Sequence, residues 1–153
     1  MTAPVLLCTD GSELAAAALA AGLDVLGDDG PYVVVTAIPA PDPMLVTGTG
    51  FAGGTMTQEE YDAADKARLA EADALTGATA HELGLDDAGT RVVRGDPGPA
   101  ICQLAEELSA RAIVVGTRGR SGVKRAVLGS VSDHIVRNAP CPVVVTGPAA
   151  ERA

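Results

Sequence analysis

The feature that most constrains this fold is a set of short apolar runs separated by segments with helical spacing. The runs are continuous rather than alternating, which is typical of strands buried on both faces of a sheet. They cover residues 4–9, 32–38, 112–115 and 142–146, with a weaker run at 90–94. Because strand and helix alternate, the sequence predicts an α/β fold: a five-stranded parallel sheet with helices on both faces.

Four helices are predicted between the runs. The first should turn one set of small and apolar residues inward: Leu14, Ala18, Gly22 and Val25. The second begins with a capping motif, in which Thr57 caps the first turn and Glu60 reaches back, and has an acidic exposed face up to about residue 83. The last two helices are expected over residues 99–110 and from Ser130, acting as its cap, to about residue 138.

Length and composition indicate one domain. The chain has 153 residues, of which 47% are hydrophobic and 2% aromatic, so its core must be packed from Val, Leu, Ile and Ala. We expect a single domain over residues 1–153, with its core at about 4–146 and a tail at 147–153. The Pro-, Gly- and Thr-rich segment 39–56 is predicted to be a flexible loop.

Charge and cysteine usage limit the partners. A formal net charge of −9 argues against nucleic acid and anionic membranes, because both attract basic surfaces. The three cysteines, Cys8, Cys102 and Cys141, lack metal or disulfide spacing and are interpreted as buried free thiols. No stretch approaches about 18 uninterrupted apolar residues, and the first residues lack a signal pattern. We therefore expect a soluble cytoplasmic protein.

A glycine-rich loop is the clearest candidate for a ligand site. It reads GTRGRSGVKRAVLGS from Gly116 to Ser130 and includes Gly119 and Gly129. Glycines let a backbone approach a phosphate, and free amides at the start of the following helix can face an anion. Residues 116–140 carry five basic side chains and one acidic one, a net charge of +4, which favours a small polyanion.

A carboxylate is expected to face this loop. Ligands bind at the carboxyl ends of parallel strands, where the strand order reverses. The first run ends in Asp10 and the fourth at Gly116, so the two would share one crevice if their strands are neighbours. Mg²⁺ between the carboxylate and a phosphate would reconcile the like charges. Asp10 could instead cap the first helix or hold the turn at Gly11 and Ser12.

Motifs of several enzyme classes are missing from the sequence. No GxxxxGK[ST] occurs, and the turn after the first run offers Gly11 alone rather than GxGxxG. No GxSxG or HExxH occurs, and His81 and His134 lie far apart along the chain. A P-loop protein or a dinucleotide-dependent dehydrogenase is therefore not expected.

The glycine spacing resembles the ATP-binding signature of the universal stress proteins. Gly116, two residues, Gly119, nine residues and then Gly129-Ser130 follow that signature. The opening VLLCTDGSE, the RGDP turn, the strand and loop IVVGTRGRSG and the terminal APCPVVV are also similar to that family. The resemblance covers the chain from about residue 4 to 146.

This resemblance implies an adenine-nucleotide alpha-hydrolase-like fold with strand order 3-2-1-4-5, usually paired as a homodimer through the last strand. It implies that the loop amides hold the triphosphate of ATP, that the acid after strand one lies near the nucleotide and its Mg²⁺, and that strand two provides an apolar edge for adenine. The corresponding residues are Asp10, Ala37, Gly116, Gly119, Gly129 and Ser130.

The implied function is a nucleotide-responsive regulatory module in the stress response, with at most slow ATP hydrolysis and no assigned catalytic residue. Two alternatives stay open: an ATPase or nucleotide-dependent transferase, and a stress dimer that does not use nucleotide. Asp10 is the only obvious carboxylate at the predicted site, which disfavours the first alternative. We also hypothesise that Met44 or Phe51 folds over the bound nucleotide.

Overall fold

The apolar runs of the sequence form the strands of one parallel sheet. The computed structural model of the protein describes residues 2–27, 30–46, 56–117 and 128–147. Within these residues it contains five strands: β1 Val5–Cys8, β2 Tyr32–Ile38, β3 Gly89–Arg94, β4 Ala112–Gly116 and β5 Val143–Thr146. The same residues contain four α-helices: α1 Glu13–Leu26, α2 Gln58–Glu82, α3 Pro97–Glu107 and α4 Ser130–Asn138.

The sheet has the predicted order, β3-β2-β1-β4-β5, and all of its strand pairs are parallel. Val5 of β1 is in register with Tyr32 of β2 on one side and with Ala112 of β4 on the other. The chain therefore leaves β1 for one half of the sheet and returns beside β1 to build the other half. This reversal creates a topological switch point at the carboxyl ends of β1 and β4.

The core lies on both faces of the sheet. One layer joins the sheet to α3 and α4 and contains Leu6 and Ile135, while the other joins it to α1 and α2 and contains Leu7 and Leu19. Side chains alternate between the two faces, so successive residues of β1 enter different layers. The edge strands β3 and β5 are only partly buried, although the sequence predicted burial on both faces for every run.

The rotation of α1 differs from the prediction. Its buried residues are Ala15, Ala18, Leu19 and Gly22, so Ala18 and Gly22 face the sheet as expected. Leu14 and Val25 are 38% and 73% exposed. A Cβ on Gly22 would collide with the side chain of Val114, and this close approach fixes which face of the helix meets the sheet. Residue type alone could not reveal that rotation in a helix made mostly of small residues.

The capping motif of α2 is confirmed. The Glu60 amide donates to Thr57 Oγ1 at 3.1 Å, and the Thr57 amide donates to Glu60 Oε2 at 2.8 Å. These reciprocal bonds satisfy amides that the first turn of a helix leaves without partners. The helix runs to Glu82, and its outer face carries the expected acidic residues, including Glu59, Asp62 and Asp73.

The bounds and the cap of the last two helices need correction. α3 begins at Pro97 rather than at Pro99, and it ends at Glu107 because Ser109 adopts a left-handed φ of 49°. Either proline suits a first turn, so composition could not distinguish them. Gly129, and not Ser130, is the N-cap of α4, and Ser130 is its first helical residue.

The three cysteines differ in their burial. Cys8 is buried and Cys102 and Cys141 are half-buried; all three are free. Burial raises the pKa of each thiol, so none has the thiolate character of a reactive cysteine. In the described part of the chain, no helix is both long enough and apolar enough to cross a membrane.

Candidate functional site

A cleft of about 680 Å³ opens at the carboxyl ends of β1, β2 and β4. Its size lies within the range of small-molecule sites. Asp10, Ala37 and Gly116, three of the residues that the sequence predicted for one site, all line it. Since these residues come from three different strand ends, the predicted crevice between the first and fourth runs is present.

The turn after β1 forms the floor of the cleft. Asp10 Oδ1 accepts a hydrogen bond from the Ser12 amide at 2.9 Å, and Thr9 Oγ1 accepts one from the Gly11 amide at 3.1 Å. Ser12 then caps α1, because its Oγ accepts from the Ala15 amide at 3.1 Å. Gly11 has a φ of 83°, which favours glycine. Asp10 therefore holds the turn and also lines the cleft.

The end of β2 exposes main-chain polar groups to the cleft. In a parallel strand, the N–H and C=O of alternate residues point to opposite neighbouring strands. The Thr9 amide donates to Val35 O at 2.9 Å, whereas the Gly95 amide donates to Ile38 O at 2.9 Å. The main-chain N–H and C=O of Val35 therefore point towards β1, and so do those of Ala37, two residues later. Because β1 has ended there, no backbone bond from the described residues occupies the N–H or C=O of Ala37.

The base of the glycine loop is closed by hydrogen bonds. The Gly129 amide donates to Thr117 O at 2.9 Å, and the Thr117 amide donates to Thr146 O at 2.9 Å. A Cβ on Gly129 would lie 3.4 Å from Thr117 O, at ordinary van der Waals distance. Since the Gly129 amide is engaged, the first amides of α4 without a partner among the described residues are those of residues 130–132.

Part of the predicted phosphate loop lies outside the described residues. This part contains Gly119 and four of the predicted basic residues: Arg118, Arg120, Lys124 and Arg125. The fifth, Arg137, pairs with Asp133 at 3.0 Å one turn away in α4. The described portion of the basic segment is therefore locally neutral.

Helix α2 provides a wall that the sequence interpretation missed. Four of its residues line the cleft at spacings of three and four: Arg68, Glu71, Ala72 and Leu75. This is one face of a helix. Glu71 adds a second carboxylate to the site, where Asp10 was the only one expected. The spacing was visible in the sequence, but charged residues at such positions resemble a solvated helix face.

Polar contacts attach the N-terminal half of α2 to its surroundings. Arg94, at the end of β3, donates from both of its terminal nitrogens to the Asp65 carboxylate at 2.8 Å. These hydrogen bonds from Arg94 lower the pKa of Asp65 below its usual range. One turn earlier, the Asp42 amide donates to Tyr61 Oη at 2.8 Å. The wall is therefore fixed by hydrogen bonds beside the cleft.

The opposite wall is apolar and closely packed. Pro97 and Ile101 of α3 and Val131 of α4 line the cleft. Behind them, a Cβ on Gly98 would lie 2.8 Å from His134 Cγ, so the two helices approach as closely as a glycine allows. The position of this wall is therefore set by the close packing of α3 against α4.

The connection after β2 begins with local structure. Pro43–Leu45 form one turn of 3-10 helix, and Val46 bridges to Met56. Met44 is 56% exposed and does not line the cleft. Phe51, the other residue hypothesised to cover the nucleotide, lies outside the described residues.

The sheet order, the helices on both faces and the cleft at the switch point define a doubly wound α/β protein with a small-molecule site. Residues 1–147 match the model of the Universal stress protein family. The chain belongs to that family.

Two relatives agree with this assignment. A universal stress protein of Methanocaldococcus jannaschii is 43% identical over 56 residues, which are 37% of this chain and 33% of the relative. A putative universal stress protein of Staphylococcus aureus is 40% identical over 92 residues, which are 57% and 55% of the two chains. The chain thus spans a third to about half of the length of these relatives.

Solved structures share the fold. A universal stress protein from Lactobacillus plantarum has a TM-score of 0.71, at 18% identity over 94% of this chain and 97% of its own. A universal stress protein in complex with cAMP has a TM-score of 0.59, at 25% identity over 96% and 98%. A family member from Arabidopsis thaliana with AMP bound has a TM-score of 0.61, at 19% identity over 98% and 94%.

Proposed function

We propose that this protein binds an adenine nucleotide, with ATP as its ligand, in the cleft between the ends of β1, β2 and β4. One observation carries the proposal. Within the described residues, the cleft has main-chain groups without partners at both ends: those of Ala37 at β2 and, beyond β4, the first amides of α4, where Val131 lines the cleft. Family members with cAMP and AMP bound support an adenine nucleotide as the occupant.

The adenine end of the proposed site is at β2. An adenine edge carries an amine that donates and a ring nitrogen that accepts. The C=O and N–H of Ala37 are complementary to these two groups. The walls on either side are apolar, with Leu75 on α2 and Ile101 on α3, and suit the faces of a flat base.

The phosphate end of the proposed site is at β4. We assign it to Gly116, Gly119, Gly129 and Ser130. Gly116 lines the cleft, and Ser130 contributes the first unpartnered amide of α4 within the described residues. Amides at a helix N-terminus are donors in a positive field, which suits phosphate oxygens.

Asp10 is assigned an indirect role through Mg²⁺. Among the described residues no group of three or more His, Cys, Asp or Glu side chains could hold a metal ion. One carboxylate and the phosphates of a nucleotide are a donor set that Mg²⁺ accepts, because it retains several waters. The residues present therefore fit Mg²⁺ that enters the site together with ATP. The ion would neutralise the negative charge of the phosphates beside the Asp10 carboxylate.

The protein's role is that of a regulatory module whose nucleotide state is read by partners in the stress response, with at most slow hydrolysis. A homodimer through β5 fits this role, since β5 is an edge strand with only partly buried residues. A cytoplasmic location remains a prediction.

Mass spectrometry of nucleotide released from freshly purified protein tests the function. We expect ATP, or its product ADP, near one equivalent per chain, and conversion of added ATP over hours rather than seconds. Protein that carries no nucleotide and whose melting temperature does not change with Mg-ATP would contradict the proposal. Turnover within seconds would favour the ATPase alternative instead.

A further inference from the structure

Helix α2 places two charged side chains at the cleft. Neither of them takes part in the nucleotide contacts proposed above. Arg68 and Glu71 line the cleft three residues apart, and both are exposed. Within the described residues, neither side chain forms a hydrogen bond or an ion pair, with each other or with a neighbour. Arg68 lies near enough to Asp65, one turn earlier, to interact with it electrostatically, but no direct contact in the described part of the chain holds Arg68 or Glu71. A cation and a carboxylate at one cleft are therefore available to a ligand.

The position of α2 decides which part of a nucleotide these side chains would meet. α2 packs chiefly on β2 and β3. The proposed phosphate end is at β4, two strands away from β2, or about 10 Å at the usual strand spacing. Arg68 and Glu71 therefore belong to the end of the cleft near Ala37.

The stripe on α2 changes character along its length. Ala72 is buried and Leu75 half-buried at the deep end, whereas Arg68 and Glu71 are exposed at the mouth. Across the cleft, Ile101 is only 3% exposed. A flat base between the apolar residues would leave its exocyclic groups and its ribose beside the two charged side chains.

We propose that Arg68 and Glu71 recognise the nucleoside half of the ligand, a statement that rests on the proposed function. The Glu71 carboxylate is an acceptor and takes a hydrogen bond from a nucleoside donor, either the exocyclic amine or a ribose hydroxyl. The Arg68 guanidinium lies against the face of the base. The pair thereby discriminates among nucleosides rather than among phosphate chain lengths.

Calorimetric titration with AMP, 2′-deoxy-AMP and IMP tests the role of Glu71. We expect Glu71→Ala to weaken AMP binding about 10-fold, the usual scale for one charge-assisted hydrogen bond. The loss should disappear for 2′-deoxy-AMP if the donor is the ribose 2′-hydroxyl, and for IMP if it is the amine. Asp73→Ala, which removes an exposed acid from α2 outside the cleft, is the matched control and should bind as wild type.

Titration with adenosine, AMP and ATP tests the role of Arg68. We expect Arg68→Ala to weaken all three by the same factor, about 3- to 10-fold. Its control, Lys66→Ala, removes an exposed cation of α2 that does not line the cleft. Circular dichroism and the melting temperature verify that each variant is folded.

Two results would overturn the inference while wild-type protein binds AMP. One is a Glu71→Ala variant that matches Asp73→Ala for every ligand. The other is an Arg68→Ala loss that grows from adenosine to ATP, which would assign the guanidinium to phosphate. Wild-type protein that binds none of these ligands would overturn the proposed function as well, so the two failures are distinguishable.

Discussion

The cleft lies between two helical walls that are attached to the sheet by different means. On the α3 side, Gly98 is buried against His134, and apolar side chains face the cleft. On the α2 side, the first buried residue is Ala72, more than half of the way along the helix, and the ion pair of Asp65 with Arg94 anchors the part before it. Close packing fixes one wall, whereas hydrogen bonds fix the other and leave charged groups at the cleft.

This difference indicates that the two walls have different roles in ligand binding. An apolar wall with a glycine contact tolerates little change in volume, so it sets the width of the cleft. A wall whose charged side chains make no hydrogen bond within the described residues can distinguish ligands by their hydrogen-bonding groups.

Gly98→Ala should have the largest effect, because its Cβ would lie 2.8 to 2.9 Å from three carbon atoms of His134. We expect the free energy of unfolding to fall by about 1–3 kcal/mol, or roughly 2–4 °C in Tm for each kcal/mol. Gly77→Ala on α2 is the matched control, since nothing lies within 4 Å of its Cβ. It should raise stability by about 0.5–1 kcal/mol. If the free energy of unfolding changed with the same sign in both variants, the proposed contrast between the two walls would be wrong.

Asp10→Asn tests the floor and should have the next largest effect. The asparagine oxygen can still accept from the Ser12 amide, so the turn is retained while the charge is lost. We expect the Mg²⁺-dependent part of ATP affinity to fall about 10-fold, with metal-free AMP binding unchanged or tighter. Titrations with and without Mg²⁺ measure this, with Asp24→Asn on α1 as the control. A Mg²⁺ response equal to that of wild type would exclude Asp10 from metal binding.

Asp65→Asn should have the smallest effect, and one that depends on pH. The hydrogen bonds of Arg94 lower the pKa of Asp65 in the folded protein, so its ionised form stabilises the fold above the unfolded pKa. That contribution is lost as pH falls through the folded pKa. Denaturant unfolding should therefore show wild type more stable than Asp65→Asn at pH 7, with the difference shrinking below about pH 4. A difference that is constant from pH 7 to pH 3 would argue against this ion pair.

Local patterns made much of the fold predictable. The β1 turn and the α2 cap depend on residues two or three positions apart, such as Asp10 with Ser12 and Thr57 with Glu60. The continuous apolar runs gave the strands, and the family resemblance gave their order. These features are encoded by neighbours in the sequence, or by a pattern that many chains share.

Long-range packing explains what the sequence did not reveal. By residue type, Leu14 and Val25 are as suitable for the core as the residues that are buried, Ala15 and Leu19. The close approach of Gly22 to β4 determines which face of α1 is buried. Glu71 on α2 has the same appearance in sequence as any acid on a solvated helix. Its place at the cleft follows from how α2 packs on β2 and β3, which no short pattern records.

An NMR titration of ¹⁵N-labelled protein with AMP tests the central claim most directly. If the nucleotide occupies the cleft, the amide signals of Asp10, Ala37, Gly116 and Ser130 should shift together, with one dissociation constant. The amide of Val25, on the exposed face of α1 away from the cleft, should stay in place. Shifts confined to residues outside the cleft, or no shift at millimolar AMP, would contradict an adenine-nucleotide site at these strand ends.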